Sequence, residues 1–387
     1  METMRLVEEQ YAEMLETMAV LTKIDRGSKH VTGIEKTTTY LTTLLKPLGC
    51  EVIVHPDSVY GPTLVARKSG SGKGRIIFYA HMDTVWPEGE CERRPFHIEG
   101  DYAYGPGVSD CTHGIVAQIY MLKTLIQMEF DNYGEIVLLF NPDEEITSPS
   151  STQWIKKYSE DKDVAFCMEG PDHADEYVTS RSGSIYYEIK VTGIKAHAGV
   201  EPEKGRNAIA ELCYKLNLIQ QLKIPNAVIN LSFINGGSGM CIVADEASAI
   251  FRYRINSLDV IPELNRVVED TITYNQLIEG TSTTLTHLEN NGFLPLVKNP
   301  ETDKFSKLVD AVSADMSMPL KESHCGGGAD AVSSSLVGIP TLDGLAPVTY
   351  GCHTIDERLD LRTLVPRISL LVELVKRICT DDKFRRT

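Results

Sequence analysis

Apolar residues recur at helical spacing in the first segment, Met4 to Ile24 (Leu6, Tyr11, Leu15, Met18 and Leu21), with acids between them. This pattern predicts one amphipathic surface helix. A second helix is predicted from about Ile34 to Leu45, stopping near Pro47. Strand-like runs follow at Cys50–Val54, Thr63–Arg67 and Arg75–Ala80. Between the last two lies Ser69-Gly70-Ser71-Gly72-Lys73-Gly74, which reads as a flexible hairpin turn. It is not a phosphate loop, because Gly74 rather than Ser or Thr follows Lys73.

Three apolar runs share one property. Arg75–Ala80 ends at His81 and Asp83, Glu135–Phe140 ends at Asn141-Pro142-Asp143-Glu144-Glu145, and Val164–Met168 ends at Glu169. Unbroken apolar runs of this length suit strands buried on both faces, as in a parallel sheet. A helical stretch from His113 to Met128 joins the first two, giving a strand–helix–strand crossover. In open α/β sheets ligands gather at the carboxyl ends of the strands, and here His and acids stand at that edge.

The pattern changes after about Ser182. Ser184–Val191, Ala227–Ile234, Ala247–Ile255 and Thr283–Leu288 read as strands, and Asn207–Leu222 and Leu258–Leu277 as helices. The order β-α-β-β-α-β is the ferredoxin-like plan. The α/β character resumes at about Pro295, with helices near Thr302–Ala314 and Arg362–Thr380. The expected organisation is a discontinuous α/β domain over 1–182 and 293–387, with a mostly parallel sheet flanked by helices. A ferredoxin-like lid and dimerisation domain over 183–292 is inserted into it.

Charge narrows the function classes. The 387 residues carry 38 Lys+Arg against 54 Asp+Glu, a formal charge of −16. Nucleic acid and anionic membrane surfaces are therefore not expected partners. Nine cysteines without a C-x-x-C pair fit neither a disulfide framework nor a structural zinc module, and suit a reduced cytoplasmic protein. The acidic N-terminal segment is not expected to be a signal peptide, and no apolar run is long enough to span a membrane.

The acids and His at the strand ends are candidate metal ligands. Asp83 stands two residues after His81 and can turn back to orient its ring. Asp110 lies in the glycine-rich stretch Gly105-Pro106-Gly107-Val108-Ser109-Asp110, where it is either a helix cap or a ligand. Two adjacent acids, Glu144 and Glu145, directly after an apolar strand are costly unless a positive charge answers them, and Glu169 repeats the situation.

These motifs resemble the dizinc peptidase and deacylase family that includes glutamate carboxypeptidase, aminoacylase-1, peptidase T and succinyl-diaminopimelate desuccinylase. The resemblance is carried by His81-Met82-Asp83-Thr84-Val85, Gly105-Pro106-Gly107 through Asp110, Asn141 through Glu145, and Met168-Glu169-Gly170. It continues in Lys195-Ala196-His197-Ala198-Gly199, Pro202, Gly205-Arg206-Asn207-Ala208, Gly326-Gly327-Gly328-Ala329-Asp330 and Gly351-Cys352-His353. The sequence alone leaves open which glutamate pairs with which histidine. The resemblance implies one ion held by His81 and Glu169, a second by Glu145 and His353, Asp110 bridging them, and a cis peptide between Asp110 and Cys111. It implies Glu144 as general base, Asp83 as partner of His81, and His197 steadying the oxyanion. It also implies Arg252 on the substrate carboxylate, with Arg254 as a rival, and Gly327 and Gly328 allowing close substrate approach.

Two imidazoles and three carboxylates make a mixed nitrogen and oxygen set that suits two zinc ions, with cobalt or manganese as substitutes. The activity expected is hydrolysis of an amide or peptide bond next to a free carboxylate, on a short peptide or N-acyl amino acid, by a homodimer. Two features depart from the family pattern. Cys241 stands where an Asn is frequent, and His113 stands where a small residue is usual, which predicts an entrance shaped for an unusual substrate. Asp172, His173, Asp175, Glu176 and Tyr177 make the segment after Glu169 acidic, where a pocket for a C-terminal glutamate wants a cation. A specialised amidohydrolase of a non-peptide metabolite is the alternative reading, and an inactive binding protein on the same fold a third.

Overall fold

The computed structural model describes residues 2–171, 173–288 and 292–386. The chain divides into two compact units. One comprises the chain up to Ser180 with Lys298–Cys325 and Ala329 onward; the other comprises Arg181–Val297 with Gly326–Gly328.

In the larger unit the apolar runs form a six-stranded sheet in the order Glu51–His55, Thr63–Ser69, Glu135–Asn141, Arg75–His81, Val164–Cys167 and Thr341–Leu342. The last four run parallel, Thr63–Ser69 runs antiparallel to them, and Glu51–His55 pairs antiparallel with Thr63–Ser69. Every residue of Glu135–Asn141 is buried, which accounts for its lack of alternation. Register pairs His81 with Asn141, so the ends of the two central strands lie side by side. Helix His113–Gln127 is buried on almost every side, and its apolar residues join those of helices Tyr11–Leu21, Val31–Leu45 and Leu364–Thr380 in one core.

Two expectations are corrected. The N-terminal segment is two helices, Glu2–Glu8 and Tyr11–Leu21, not one. The break falls at Gln10, whose buried amide donates to Leu6 O at 3.0 Å, Thr124 Oγ1 at 2.9 Å and Gln127 Oε1 at 3.0 Å. The side chain takes Leu6 O, the carbonyl that a continuing helix would give to Gln10 N, and Gln10 N turns to Val7 O at 3.0 Å. The glycine linker is not a hairpin turn, because Glu135–Asn141 lies between the strands it joins. Its backbone bonds instead to the 131–134 turn: Gly70 N to Gly134 O, Ser71 N to Asp131 O and Gly72 N to Tyr133 O. A Cβ at Gly70 would stand 2.3 Å from Asp131 O, so the glycine serves close backbone approach.

The smaller unit is an antiparallel sheet in the order Ala227–Gly236, Glu246–Ile255, Gly183–Thr192 and Ser282–His287. With helices Ala208–Gln221 and Ile261–Tyr274 this is the ferredoxin-like plan. Its separate core includes Tyr187, Ile189, Leu212, Ile219, Phe251, Leu264 and Val268. Asn207 caps the first helix, its Oδ1 accepting from Ala210 N at 3.1 Å.

Candidate metal centre

The parallel strands deliver their carboxyl ends to one edge of the larger unit, and the candidate ligands converge there. His81 closes its strand, with its ring 1 % exposed. Its Nε2 lies 2.7 Å from Asp110 Oδ1 and 3.6 Å from Glu169 Oε1. His353, in the loop between Thr349–Tyr350 and Arg358–Asp360, places Nε2 3.0 Å from Asp110 Oδ2 and 3.1 Å from Glu145 Oε2. Asp110 thus presents one oxygen to each imidazole, and its peptide to Cys111 is cis.

Asp83 is fully buried and serves three segments. It stands 3.3 Å from His81 Nδ1 and accepts Ser28 Oγ at 2.7 Å. It also accepts the backbone N–H groups of Glu144 at 3.0 Å and Glu145 at 3.2 Å. Sequence reasoning did not find two further supports. Arg26 is 1 % exposed; its guanidinium donates to Met82 O at 2.7 Å and to Thr112 Oγ1, tying the His81–Asp83 step to the segment after Asp110. Glu357 takes Gly107 N on both oxygens at 3.0 Å and Ser109 Oγ at 2.9 Å, fixing the glycine loop before Asp110. No local pattern marks these residues, because each acts on a segment remote in sequence.

The electrostatics are those of crowded acids sharing protons. Burial pushes the Asp110 carboxyl up, but bonds from His353 and His81 outweigh it and hold it well below the usual carboxylate range. Bonds to Asp110 and Glu145 push His353 up to about 10. His81 is held well above the usual imidazole range, its bond to Asp110 overcoming burial. Glu144 is shifted well upward, by burial first and then by Asp330, Glu169 and Glu145, with His81 opposing. Glu145 is raised mainly by burial, and its Oε1 has no hydrogen-bond partner among the described residues.

This donor set fits a divalent metal centre. Ligand atoms of His81, Asp110 and Glu145 lie within 4.8 Å of one another, as do those of His81, Cys111 and Glu169. Buried like charges and an orphaned carboxylate oxygen are what a cation relieves. Cys111 is not a donor in this arrangement: it is fully buried, its thiol donates to Met168 O at 3.1 Å, and burial pushes its pKa well up. Beside Glu145 a cavity of about 410 Å³ is lined by Val85, Trp86, Pro87, Glu88, Ile146 and His30 among others. Trp86 is braced by the Arg94 guanidinium 4.0 Å over its ring.

The remaining sequence candidates take other places. His113 shapes no entrance: it is fully buried in the first turn of its helix, where burial lowers its pKa to about 4. A Cβ at Gly170 would meet its Nε2 at 3.3 Å, so the imidazole fills space under the loop after Glu169. Asp175 pairs with Lys321 at 2.9 Å, so the acidic segment carries its own cation; Asp172 lies outside the described residues.

In the smaller unit, His197 Nδ1 accepts the N–H groups of Gly199 and Val200 at 3.1 Å. Cys241 is exposed, and its carbonyl accepts Ala198 N at 2.9 Å. Arg252 Nη1 donates to Tyr186 OH at 3.2 Å. Its rival Arg254 donates to Gly326 O, and a Cβ at Gly328 would stand 2.9 Å from Phe293 Cβ.

The profile of peptidase family M20/M25/M40 matches residues 77–377. Carboxypeptidase G2 of Pseudomonas sp. (strain RS-16) is 28% identical over 375 residues, covering 94% of this chain and 88% of that protein. A tripeptidase from Staphylococcus aureus superposes with a TM-score of 0.82 at 19% identity, over 96% of this chain and 99% of that one. The metallo-carboxypeptidase Sso-CP2 from Sulfolobus solfataricus gives a TM-score of 0.74 at 18% identity, over 94% and 98%.

Proposed function

From the premise that this chain belongs to peptidase family M20/M25/M40 and is a metallohydrolase of that family, we propose that it hydrolyses an amide or peptide bond adjacent to a free carboxylate. The substrate is a short peptide or an N-acyl amino acid. The observation that carries this reading is the convergence of His81, Asp110, Glu145, Glu169 and His353 on one sheet edge, with Glu144 beside them.

Two zinc ions, replaceable by cobalt or manganese, are the proposed cofactor. His81 and Glu169 would hold one, Glu145 and His353 the other, and Asp110 would serve both. Such ions supply Lewis acidity to water and to the scissile carbonyl. The Glu144 carboxylate takes the proton of the attacking water and delivers it to the leaving nitrogen. Its raised proton affinity suits both halves of that transfer. Asp83 fixes the His81 ring and, through two backbone bonds, the turn bearing Glu144 and Glu145.

In the smaller unit, His197 is assigned to the oxyanion, Arg252 to the substrate carboxylate, and Gly327 and Gly328 to close substrate approach. That unit is also the proposed homodimer surface. Ala227–Gly236 is an edge strand, and Val228, Phe233 and Ile234 on it are 69%, 66% and 58% exposed. The cytoplasm is the proposed location, on the cysteine pattern, and nucleic acid and membranes are not proposed partners, on the acidic composition.

The test is a panel of dipeptides and N-acetyl amino acids assayed with added zinc, cobalt or manganese. Metal-dependent hydrolysis of at least one class is expected. Stoichiometric metal with no turnover across the panel would overturn the reading in favour of a specialised amidohydrolase. That alternative has lost one of its two supports, because His113 is buried rather than at an entrance.

A further inference from the structure

A buried carboxylate outside the proposed donor set grips the turn that carries two members of the site. Asp330 is 2 % exposed, and both its bonds are to neutral groups. Its Oδ2 accepts from Asn141 Nδ2 at 2.6 Å, and its Oδ1 accepts from Ser148 Oγ at 2.5 Å. Asn141 ends the strand Glu135–Asn141, and Ser148 lies just past the turn that bears Glu144 and Glu145. One side chain therefore holds the two ends of segment 141–148.

That segment needs holding. Thr147 and Ser148 are successive non-glycine residues with φ of 69° and 52°. This left-handed region is unfavourable for side-chain-bearing residues and persists where the surroundings fix it. Inside the turn, Thr147 N donates to Glu144 O at 2.7 Å and Ser148 N to Asp143 O at 2.8 Å. From one side Asp83 binds the backbone of Glu144 and Glu145; from the other, Asp330 closes the ends. Asn141 O also accepts Met82 N at 2.6 Å, so the same grip reaches the His81–Asp83 step.

We propose that Asp330 is a positioning residue, which sets the Glu144 carboxylate and the Glu145 donor oxygen by clamping both ends of their turn, and which acts through its two hydrogen bonds more than through its charge. The inference rests on the roles assigned above to Glu144 and Glu145. Burial first, and then the neighbouring Asp143, raise its pKa to about 7, against the opposing effects of Ser148, His81 and Asn141.

The two modes separate by substitution. In Asp330→Asn the amide keeps an acceptor for Asn141 Nδ2 and offers a donor to Ser148 Oγ, which then accepts. In Asp330→Ala both bonds go. With zinc content and KM measured beside kcat, the Asn variant is expected within about fivefold of wild-type kcat. The Ala variant is expected to fall about 10²-fold, the cost of roughly 1 Å of misplacement, with KM changed less than about threefold. Wild-type kcat in Asp330→Ala would overturn the proposal. So would equal losses in both variants, since that outcome assigns the effect to charge.

Should Asp330→Ala not fold, Ser148→Ala removes one clamp point alone. It is expected to lower kcat about tenfold with a thermal midpoint near wild type; unchanged kcat overturns the proposal. Glu144→Gln keeps the two failures apart. If it stays active, the underlying reading fails; if it is inactive while Asp330→Ala turns over normally, only the clamp fails.

Discussion

Shortening Glu144 by one methylene puts a number on the proposed base. Glu144→Asp withdraws the carboxylate by about one C–C bond, roughly 1.5 Å. The backbone cannot follow it, because Glu144 N and Glu145 N are held by Asp83 at 3.0 and 3.2 Å and the turn is tied at both ends by Asp330. Misplacement by about 1 Å costs about 10²-fold, so the variant should lose 10²-fold to 10³-fold in kcat, roughly 2.7 to 4 kcal/mol of activation free energy. Its KM should stay within about threefold, since the carboxylate moves a proton rather than binding the substrate. The donor atoms of His81, Asp110, Glu145, Glu169 and His353 are untouched, so bound metal should be unchanged. The assay is initial rates on the best substrate of the panel, with metal content measured on the same samples. The pH profile adds a sign. Proton affinity at Glu144 is raised, so the active carboxylate forms as pH rises, and activity should show an acid limb. Glu144→Asp should keep an acid limb, whereas Glu144→Gln should lose turnover at every pH. Full kcat in Glu144→Asp with unchanged metal would refute the assignment of the base.

Three further perturbations separate stability, cofactor and selectivity. Glu135, 7% exposed at the strand end far from the ligands, bonds Arg67 at 2.6 Å and Lys162 at 2.9 Å; Glu135→Gln removes the charge that answers both, leaving Lys162 to Asp161 alone, and should cost about 2 kcal/mol, near 4 °C in thermal midpoint, with activity intact. Burial pushes the Glu135 pKa up, but Lys162 and Arg67 lower it, so its stabilisation is complete above the unfolded value near 4.5 and lost as pH falls through the lower folded value. The midpoint gap between wild type and Glu135→Gln should therefore be full at pH 7 and shrink below about pH 4; a constant gap would contradict the ion-pair reading. Dialysis against a chelator should abolish activity and lower the thermal midpoint, and zinc at about 10³ times Kd should restore about 4 kcal/mol; an unchanged midpoint would count against a resident metal. Trp86→Ala opens the cavity beside Glu145 and should raise KM about tenfold for substrates with large apolar side chains while sparing glycine-containing ones; equal effects on both would show that the cavity is not a side-chain subsite.

How much of this was legible in the sequence follows from the range of the forces involved. The central strands announced themselves because burial on both faces leaves uninterrupted apolar runs, and the helices because one face repeats at helical spacing. The candidate ligands were legible because charged residues directly after such runs are costly without compensation. Pairing was not legible. Nothing local tells the Thr63–Ser69 strand to pair with Glu135–Asn141 rather than with its sequence neighbour Arg75–His81, so the glycine linker read as a hairpin. The inward turn of Gln10 depends on Thr124 and Gln127, more than 100 residues away. His113 looked like a polar residue near an entrance, and only the packing of Gly170 over it shows a buried one.

The supports of the site were invisible for the same reason, and their chemistry explains how the centre holds together. Five acids, Asp83, Asp110, Glu144, Glu145 and Glu169, meet at this one sheet edge, and like charges at such distances cannot all be ionised without answer. The chain answers in three ways: the fixed cation Arg26 behind the ligand strands, histidines held protonated by Asp110, and carboxyls with raised proton affinity at Glu144 and Glu145. Arg26 cannot lose its charge at any ordinary pH, so it belongs to the scaffold. The protons on His81, His353 and Glu145 can leave, and those are the positions where a divalent cation would replace them. A frame with one permanent cation and several exchangeable protons keeps its geometry whether protons or metal supply the positive charge. On this argument Arg26→Met should disturb the ligand geometry even in the metal-free protein, whereas chelation alone should leave the ligand-bearing loops in place.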